Sequence, residues 1–410
     1  MSIQNKKTAI FIMPRSSSAW LGAEAMWIST AGWAAAAKRK FGDAVVVTTD
    51  RVATPAEVLT YPLSKGKLKN KNKFVSFIPV FIKIFFKDLT TWKDTRNWKI
   101  LKKLTYRKED VAFVWEKHDL FTGPGRKFAN KLEVPFISYV HAPVVWEAQK
   151  WGVNRYIWGQ LLEKWEASSL KKADYVAVVS EEVKQKVIEM GVSPSKVFIS
   201  PMAVDARLFS EKESEASDLR QELDLEGKFV IGWTGSFRSF HGVDHLILAF
   251  SKLSREHPEL VLLLVGEGAE KKKCINLVLK LKLRDKIIFT GRKSFIEIPG
   301  YVTVFDLAVV SASSANGFHY SPLKLREYLA ACKPVLAPNA GEIPKIFKDG
   351  VNLKLFEAGQ IESLIAGMEF YISNPQLKEE ISENGKKLAL TTSTWEVELE
   401  KCMTFIQKYK

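Results

Sequence analysis

Short apolar runs recur along this chain at intervals filled by helical stretches, and this alternation constrains its fold more than any other feature. In the first half the runs fall at 8–13, 44–49 (AVVVTT), 111–115 (VAFVW), 135–140 (PFISYV), 175–179 and 196–200. In the second half they begin at Phe229 (FVIGWT) and continue at 260–265 (LVLLLV), 287–291 (IIFTG) and 306–310 (DLAVV). Apolar runs this continuous suit strands buried on both faces, and helices of ten or more residues between them give parallel sheets of the doubly wound α/β class. In such sheets the ligand crevice lies at the carboxyl ends of the strands. A chain of 410 residues is long enough for two domains of this kind.

The segment SPLKLREYLAACKPVLAP at 321–338 carries the most chemistry. Ser321 has the side chain of an N-cap and Pro322 suits a first helical position, so the N–H groups of Leu323 and Lys324 are expected to face an anion such as a diphosphate. Glu327, one turn inside, has two oxygens able to accept from the vicinal hydroxyls of a ribose. Together they suggest a nucleotide-sugar site. Upstream, FVIGWTGSFRSFHGVDHLILAF passes from a strand through the small residues Thr234, Gly235 and Ser236 into a loop with Arg238 and His241, then into a helix. Small side chains there let a ligand approach the backbone.

These segments, with LLLVGEG, IIFTGR and GEIPKIFKDGVN, resemble the family 4 glycosyltransferases of the GT-B fold, and the similarity spans most of the chain. The resemblance implies two facing Rossmann-like domains with a C-terminal helix crossing back to the first. It divides the chain into an acceptor-binding domain over 1–205, a nucleotide-sugar-binding domain over 206–390 and the crossover helix over 391–410. It also implies a retaining, metal-independent hexosyltransferase whose donor is a nucleoside diphosphate sugar and which needs no cofactor. Glu327 matches the second carboxylate of the family's Glu-x7-Glu motif, and His319 stands where the first would fall. Ser236 and His241 occupy the positions of the usual Arg and Lys that cradle the diphosphate, leaving Arg238 and Lys324 to supply cations. Ser321, Leu323 and Gly235 complete the expected donor contacts, and His141, His319 and Arg238 are expected in the catalytic set. His141, in HAPVVWE at the end of a strand, resembles the family's cleft histidine and would orient the acceptor. Gly22, in RSSSAWLGAEAM, belongs to the loop expected to approach the donor. Asp174 is read as structural. PMAVDARLF matches the connection between domains, and polar residues 210–228 read as the linker.

Charge is unevenly placed. From Lys65 to Lys108 there are 14 Lys or Arg against two acids, a surplus of 12 within a chain total of +15. FVSFIPVFIKIFF at 74–86 lies inside it, with Trp92 and Trp98 beyond. Contiguous apolar residues flanked by lysines suit an anionic membrane surface better than nucleic acid, where aromatic and basic residues interleave. A buried helix with a solvated basic face is the plain alternative. No stretch reaches the roughly 18 apolar residues of a membrane span, and the run Thr8–Met13 before Pro14 is too short for a signal peptide. Three cysteines without paired spacing fit a reducing compartment. The expectation is a cytoplasmic protein, peripheral on the inner face of the membrane, with a lipid-linked or glycan acceptor in polysaccharide synthesis. Neither an Asp-x-Asp nor a Gly-x-Ser-x-Gly occurs, and His241 with His245 lacks a third metal ligand. Two other readings remain at this level: a nucleotide-sugar isomerase on the same fold, and a catalytically silent relative that scaffolds a membrane assembly.

Overall fold

A computed structural model describes residues 6–20, 24–60, 79–210 and 216–409. Gly22 and most of the apolar and basic stretch before residue 79 lie outside the described residues. The chain divides into two compact units, residues 1–201 with 395–410 and residues 202–394.

The described part of the first unit holds a sheet of seven strands: β1 (Lys7–Ile12), β2 (Gly42–Val47), β3 (Val52–Ala53), β4 (Val111–Lys117), β5 (Phe136–Val140), β6 (Tyr175–Val178) and β7 (Val197–Ile199). Their order is β3-β2-β1-β4-β5-β6-β7, parallel throughout except for β3, which pairs antiparallel to β2. Every residue of β5 is buried, as a strand covered by helices on both faces requires. Asp174 accepts from the N–H of Phe136 at 2.9 Å and so holds the start of β5, a structural role.

The second unit contains β8 (Phe229–Thr234), β9 (Leu260–Val265), β10 (Ile287–Gly291), β11 (Leu307–Val309), β12 (Val335–Pro338) and β13 (Lys354–Phe356). The order is β10-β9-β8-β11-β12-β13, all parallel. This is the Rossmann arrangement, in which the chain winds outward from β8 and then restarts at β11 on its other side. Separate apolar clusters fill its two faces, one around Phe305, Tyr328 and Leu325, the other around Trp233, Phe250 and Leu262.

Two sequence expectations change here. The boundary falls at Pro201/Met202, and residues 216–228 of the polar stretch that reads as a linker are folded into the second unit. Residues Ala216–Glu222 form a helix, Leu225 is wholly buried, and Arg220 donates to the Val304 carbonyl and pairs with Asp306 at 3.0 Å. Its polarity reflects a helix with one wet face. Ser393 closes helix Pro375–Thr392. Helix Trp395–Lys408 buries Trp395, Leu399, Cys402 and Ile406, which recur at helical spacing. It docks on the first unit where helix Glu24–Phe41 carries Gly32: a Cβ there would stand 2.1 Å from the Trp395 indole nitrogen. Trp395 then meets Trp33 with ring centres 6.0 Å apart.

Candidate functional site

In a doubly wound sheet, neighbouring strands whose connections leave in opposite directions open a crevice at their carboxyl ends. In the second unit this point lies between β8 and β11. β8 ends in Thr234 and runs into Gly235, whose φ of +143° is open to glycine alone at little strain. A Cβ at Gly235 would also sit 2.6 Å from Nζ of Lys324, so the backbone and the lysine meet directly. β9 ends in the same way: Gly266, at φ +148°, passes so close to the Gly235 carbonyl that a Cβ would stand 1.8 Å from it.

Helix Leu323–Ala330 follows β11 and brings Lys324 and Glu327 to this point. Its register is fixed by the neighbouring Tyr328, whose buried hydroxyl accepts from the Thr234 N–H at 2.7 Å and shares a hydrogen bond with the Thr234 hydroxyl at 2.9 Å. Nζ of Lys324 is buried, stands 4.1 Å over the Trp233 ring, and has no hydrogen-bond partner among the described residues. Burial lowers its pKa to about 7 against the opposing pull of Glu327. Burial likewise pushes the Glu327 carboxyl up to about 8, with Lys324 opposing. A cation held under a glycine turn, beside the first-turn N–H groups of a helix, is a place where an anion gains both charge and hydrogen bonds. Among the described residues no group of side chains could hold a metal ion.

Several expected site residues sit differently from their sequence reading. Ser321 does not cap the helix. Pro322, extended at φ −73° and ψ 115°, occupies that position without a side-chain bond, while the Ser321 hydroxyl accepts from the Met202 N–H at 3.1 Å. The competing backbone donor claims the oxygen. Leu323 opens the helix, half-buried. Ser236 is half-buried, its carbonyl accepting from the Arg238 N–H. The Arg238 side chain is exposed. His241 is half-buried against Phe240 at 4.3 Å, and burial, with the charges of Lys324 and Arg238, holds it well below the ordinary histidine range. It is therefore a neutral hydrogen-bonding group and no substitute for the family lysine. His319 is buried, with Nδ1 2.8 Å from the Gly317 carbonyl.

The corresponding point of the first unit lies between β1 and β4, and its side chains escaped the sequence reading apart from His141. Arg15, after β1, makes a bidentate pair with buried Asp119, after β4. Between them in sequence, Lys117 donates to the His118 carbonyl at 3.2 Å, and His118 Nε2 lies 2.7 Å from Glu166. Glu166 also accepts from the N–H groups of Val144 and Val145, which start helix Val144–Lys150. The run Glu116-Lys117-His118-Asp119 at a strand end was the available signal, since four ionisable residues there cannot all reach solvent. His141 follows β5. Its Nε2 is buried with no partner among the described residues, and burial with the nearby Lys117 charge keeps the ring neutral.

Two family models match nearly end to end: Glycosyltransferase Family 4 over residues 39–208 and Glycosyl transferases group 1 over 215–388. Among curated proteins the chain is similar to an MMP alpha-(1->4)-mannosyltransferase of Mycolicibacterium hassiacum, 22% identical over 75% of this chain and 74% of that one. An uncharacterised glycosyltransferase of Methanocaldococcus jannaschii is 24% identical over 72% of this chain and 67% of its own length. Among solved structures, HepE of Anabaena in complex with UDP and glucose superposes with a TM-score of 0.66, covering 97% of this chain and 99% of that one at 17% identity. The sucrose-phosphate synthase of Thermosynechococcus elongatus gives 0.65 over 98% and 99% at 17% identity. At that identity the likeness speaks for the fold.

Proposed function

The chain belongs to the family 4 glycosyltransferases of the GT-B fold, and from that premise we propose that it moves a sugar, with retention and without a metal, from a nucleoside diphosphate sugar to a hydroxyl acceptor. The observation that carries this reading is the buried ammonium of Lys324 between Gly235 and the start of helix Leu323–Ala330, without a hydrogen-bond partner among the described residues. A diphosphate would supply the missing partner, with Glu327 on the ribose hydroxyls.

In the transfer, the bond from the anomeric carbon to the leaving phosphate oxygen breaks as the acceptor oxygen bonds to the same face of that carbon. The acceptor proton passes to an oxygen of the departing diphosphate. Negative charge grows on that diphosphate, so Lys324 and the N–H groups of Leu323 and Lys324 stabilise the transition state more than the ground state. Arg238, exposed at the loop, adds a weaker and screened attraction. His241 offers a neutral ring nitrogen to the phosphates, and His319 would contact the sugar. His141, uncharged with a free Nε2, would accept from or donate to a hydroxyl of the acceptor in the first unit.

The basic surplus of residues 65–108 supports an acceptor that is lipid-linked or part of a growing glycan, with the enzyme peripheral on the membrane's inner face. No helix among the described residues is long and apolar enough to cross a membrane. Because HepE of Anabaena was solved with UDP, UDP and GDP are the first probes to titrate by calorimetry. One of them should bind, and Glu327→Ala should weaken it by roughly tenfold or more, the worth of a hydrogen-bonded charged group. An unchanged affinity in that variant, or no binding of either nucleotide, overturns the reading.

A further inference from the structure

Nine of the seventeen large apolar side chains exposed among the described residues fall in two short stretches, 80–86 and 151–165. The first opens helix Val80–Asp94, which presents Phe85 and Phe86 to solvent while Ile84, Asp88 and Thr91 face inward. The second is the turn and first half of helix Gly159–Lys171, where Tyr156, Ile157, Leu161 and Trp165 are exposed, Ile157 at 86%. Nothing in the amino-acid pattern joins the two stretches. In the structure they are bolted together: buried Asp88 accepts from Arg155 at 2.7 and 3.0 Å and from the Trp158 indole at 2.9 Å. Phe85 packs edge-on against Trp158 at 5.4 Å. Both stretches lie in the first unit, so they form one apolar surface on one rigid support.

Charge decides what covers that surface. Residues 80–103 carry seven Lys or Arg against two acids. Both acids are used internally, Asp88 in the bolt and Asp94 as acceptor for Ser16 and Thr49. In the second stretch Glu163 pairs with Lys186 at 2.8 Å, and Glu166, just beyond it, is buried. Lys87 and Lys93 on helix Val80–Asp94, Lys99 and Lys103 on the following helix Lys99–Lys103, and Lys164, between Leu161 and Trp165 in sequence, are all exposed. A second copy of this chain docking through the same patch would bring these cations against one another. An anionic bilayer offers the opposite charge at headgroup level and an apolar layer just beneath it, which suits aromatic side chains flanked by lysines.

We propose that Phe85 and Phe86 together with Ile157, Leu161 and Trp165 form a composite surface, bolted by Asp88–Arg155, that seats the first unit in the interface of an anionic membrane. The inference extends the lipid-linked acceptor reading and rests on it for its purpose, but vesicle binding is measured with neither donor nor acceptor present. The purified full chain is titrated with vesicles of phosphatidylglycerol and phosphatidylcholine, and with phosphatidylcholine alone. Binding is expected to the anionic vesicles and to fall steeply with salt. Leu161→Glu/Trp165→Glu, distant in sequence from the basic segment, should weaken it by roughly tenfold or more, matching Phe85→Glu/Phe86→Glu. Thermal midpoints and UDP or GDP affinity of the same samples should stay unchanged, which separates this test from that of glycosyl transfer. Absence of anionic-vesicle binding, or full binding by Leu161→Glu/Trp165→Glu, overturns the proposal. So does a wild-type dimer in solution that these substitutions turn into monomers.

Discussion

The two units open the same kind of crevice, β1 against β4 in the first and β8 against β11 in the second, yet they treat buried charge in opposite ways. In the first, Arg15 is matched to Asp119 by two bonds and His118 to Glu166, which in turn holds the start of a helix. In the second, Lys324 is buried, and its ammonium lies over the face of Trp233 with no hydrogen-bond partner among the described residues. An isolated charge costs several kcal/mol to bury unless paired, so a fold that keeps one unpaired has a reason outside its own stability. Pairing within the chain marks groups that shape the loops. A missing partner marks the group that meets a ligand.

The sharpest way to break this contrast is to exchange the consequences. Asp119→Ala removes both hydrogen bonds of the partly exposed Arg15 to that carboxylate and should destabilise the protein by about 2–3 kcal/mol, a drop in Tm of several degrees, with UDP or GDP affinity of the folded protein unaltered. A large loss of nucleotide affinity with little change in Tm would show the first unit's pair serving the donor. Lys324→Gln should do the reverse. It removes a buried charge with no partner, so Tm stays level or rises, while nucleotide affinity falls by roughly 10- to 100-fold, the range of a charge-assisted hydrogen bond. Were Tm to fall as far as for Asp119→Ala, Lys324 would be part of the scaffold.

What the amino-acid pattern revealed divides along the same line. Strand positions were legible because parallel strands buried on both faces are apolar throughout, as in LVLLLV of β9. The terminal helix was legible because Trp395, Leu399, Cys402 and Ile406 repeat at helical period. Lys324 and Glu327 stood out because they lie in the first two turns of the same capped-looking segment. Periodicity says nothing of who competes for a hydrogen bond, and so Ser321 looked like a cap although the Met202 N–H takes its hydroxyl. Nor does it separate a linker from an amphipathic helix with a single buried anchor, which is what Leu225 makes of residues 216–228. The Asp88–Arg155 bolt and the His118–Glu166 pair join residues 67 and 48 apart, a range over which pattern carries no information.

A pH series sharpens the comparison within the second unit. The folded-state pKa of Glu327, about 8, lies above the ordinary carboxyl range of its unfolded state, so the native protein binds more protons between about 4.5 and 8. Its contribution to stability is fully present below that window and is lost as pH rises through 8. Glu327→Gln deletes this titration while keeping a neutral side chain. The difference in Tm between variant and wild type should therefore grow from near zero at pH 5 to a few degrees in the variant's favour at pH 8.5. A difference independent of pH would mean that the carboxyl is ionised throughout and compensated in place.

The smallest expected effect belongs to Arg238. It was expected to share with Lys324 the task of the absent family pair, but it is exposed whereas Lys324 is buried. Water and salt screen a surface charge, so its attraction for a diphosphate is worth roughly 0.2–1 kcal/mol, or about 1.4- to fivefold in affinity. Arg238→Glu adds repulsion to that loss and should weaken UDP or GDP binding several-fold in dilute buffer, with the effect shrinking toward none near 1 M salt, where the screening length is about 3 Å. The loss in Lys324→Gln should persist at the same salt, because no ions reach a buried contact. If the two variants respond alike to salt, burial is not what distinguishes them, and the phosphate-binding role belongs to the exposed loop instead of the helix start.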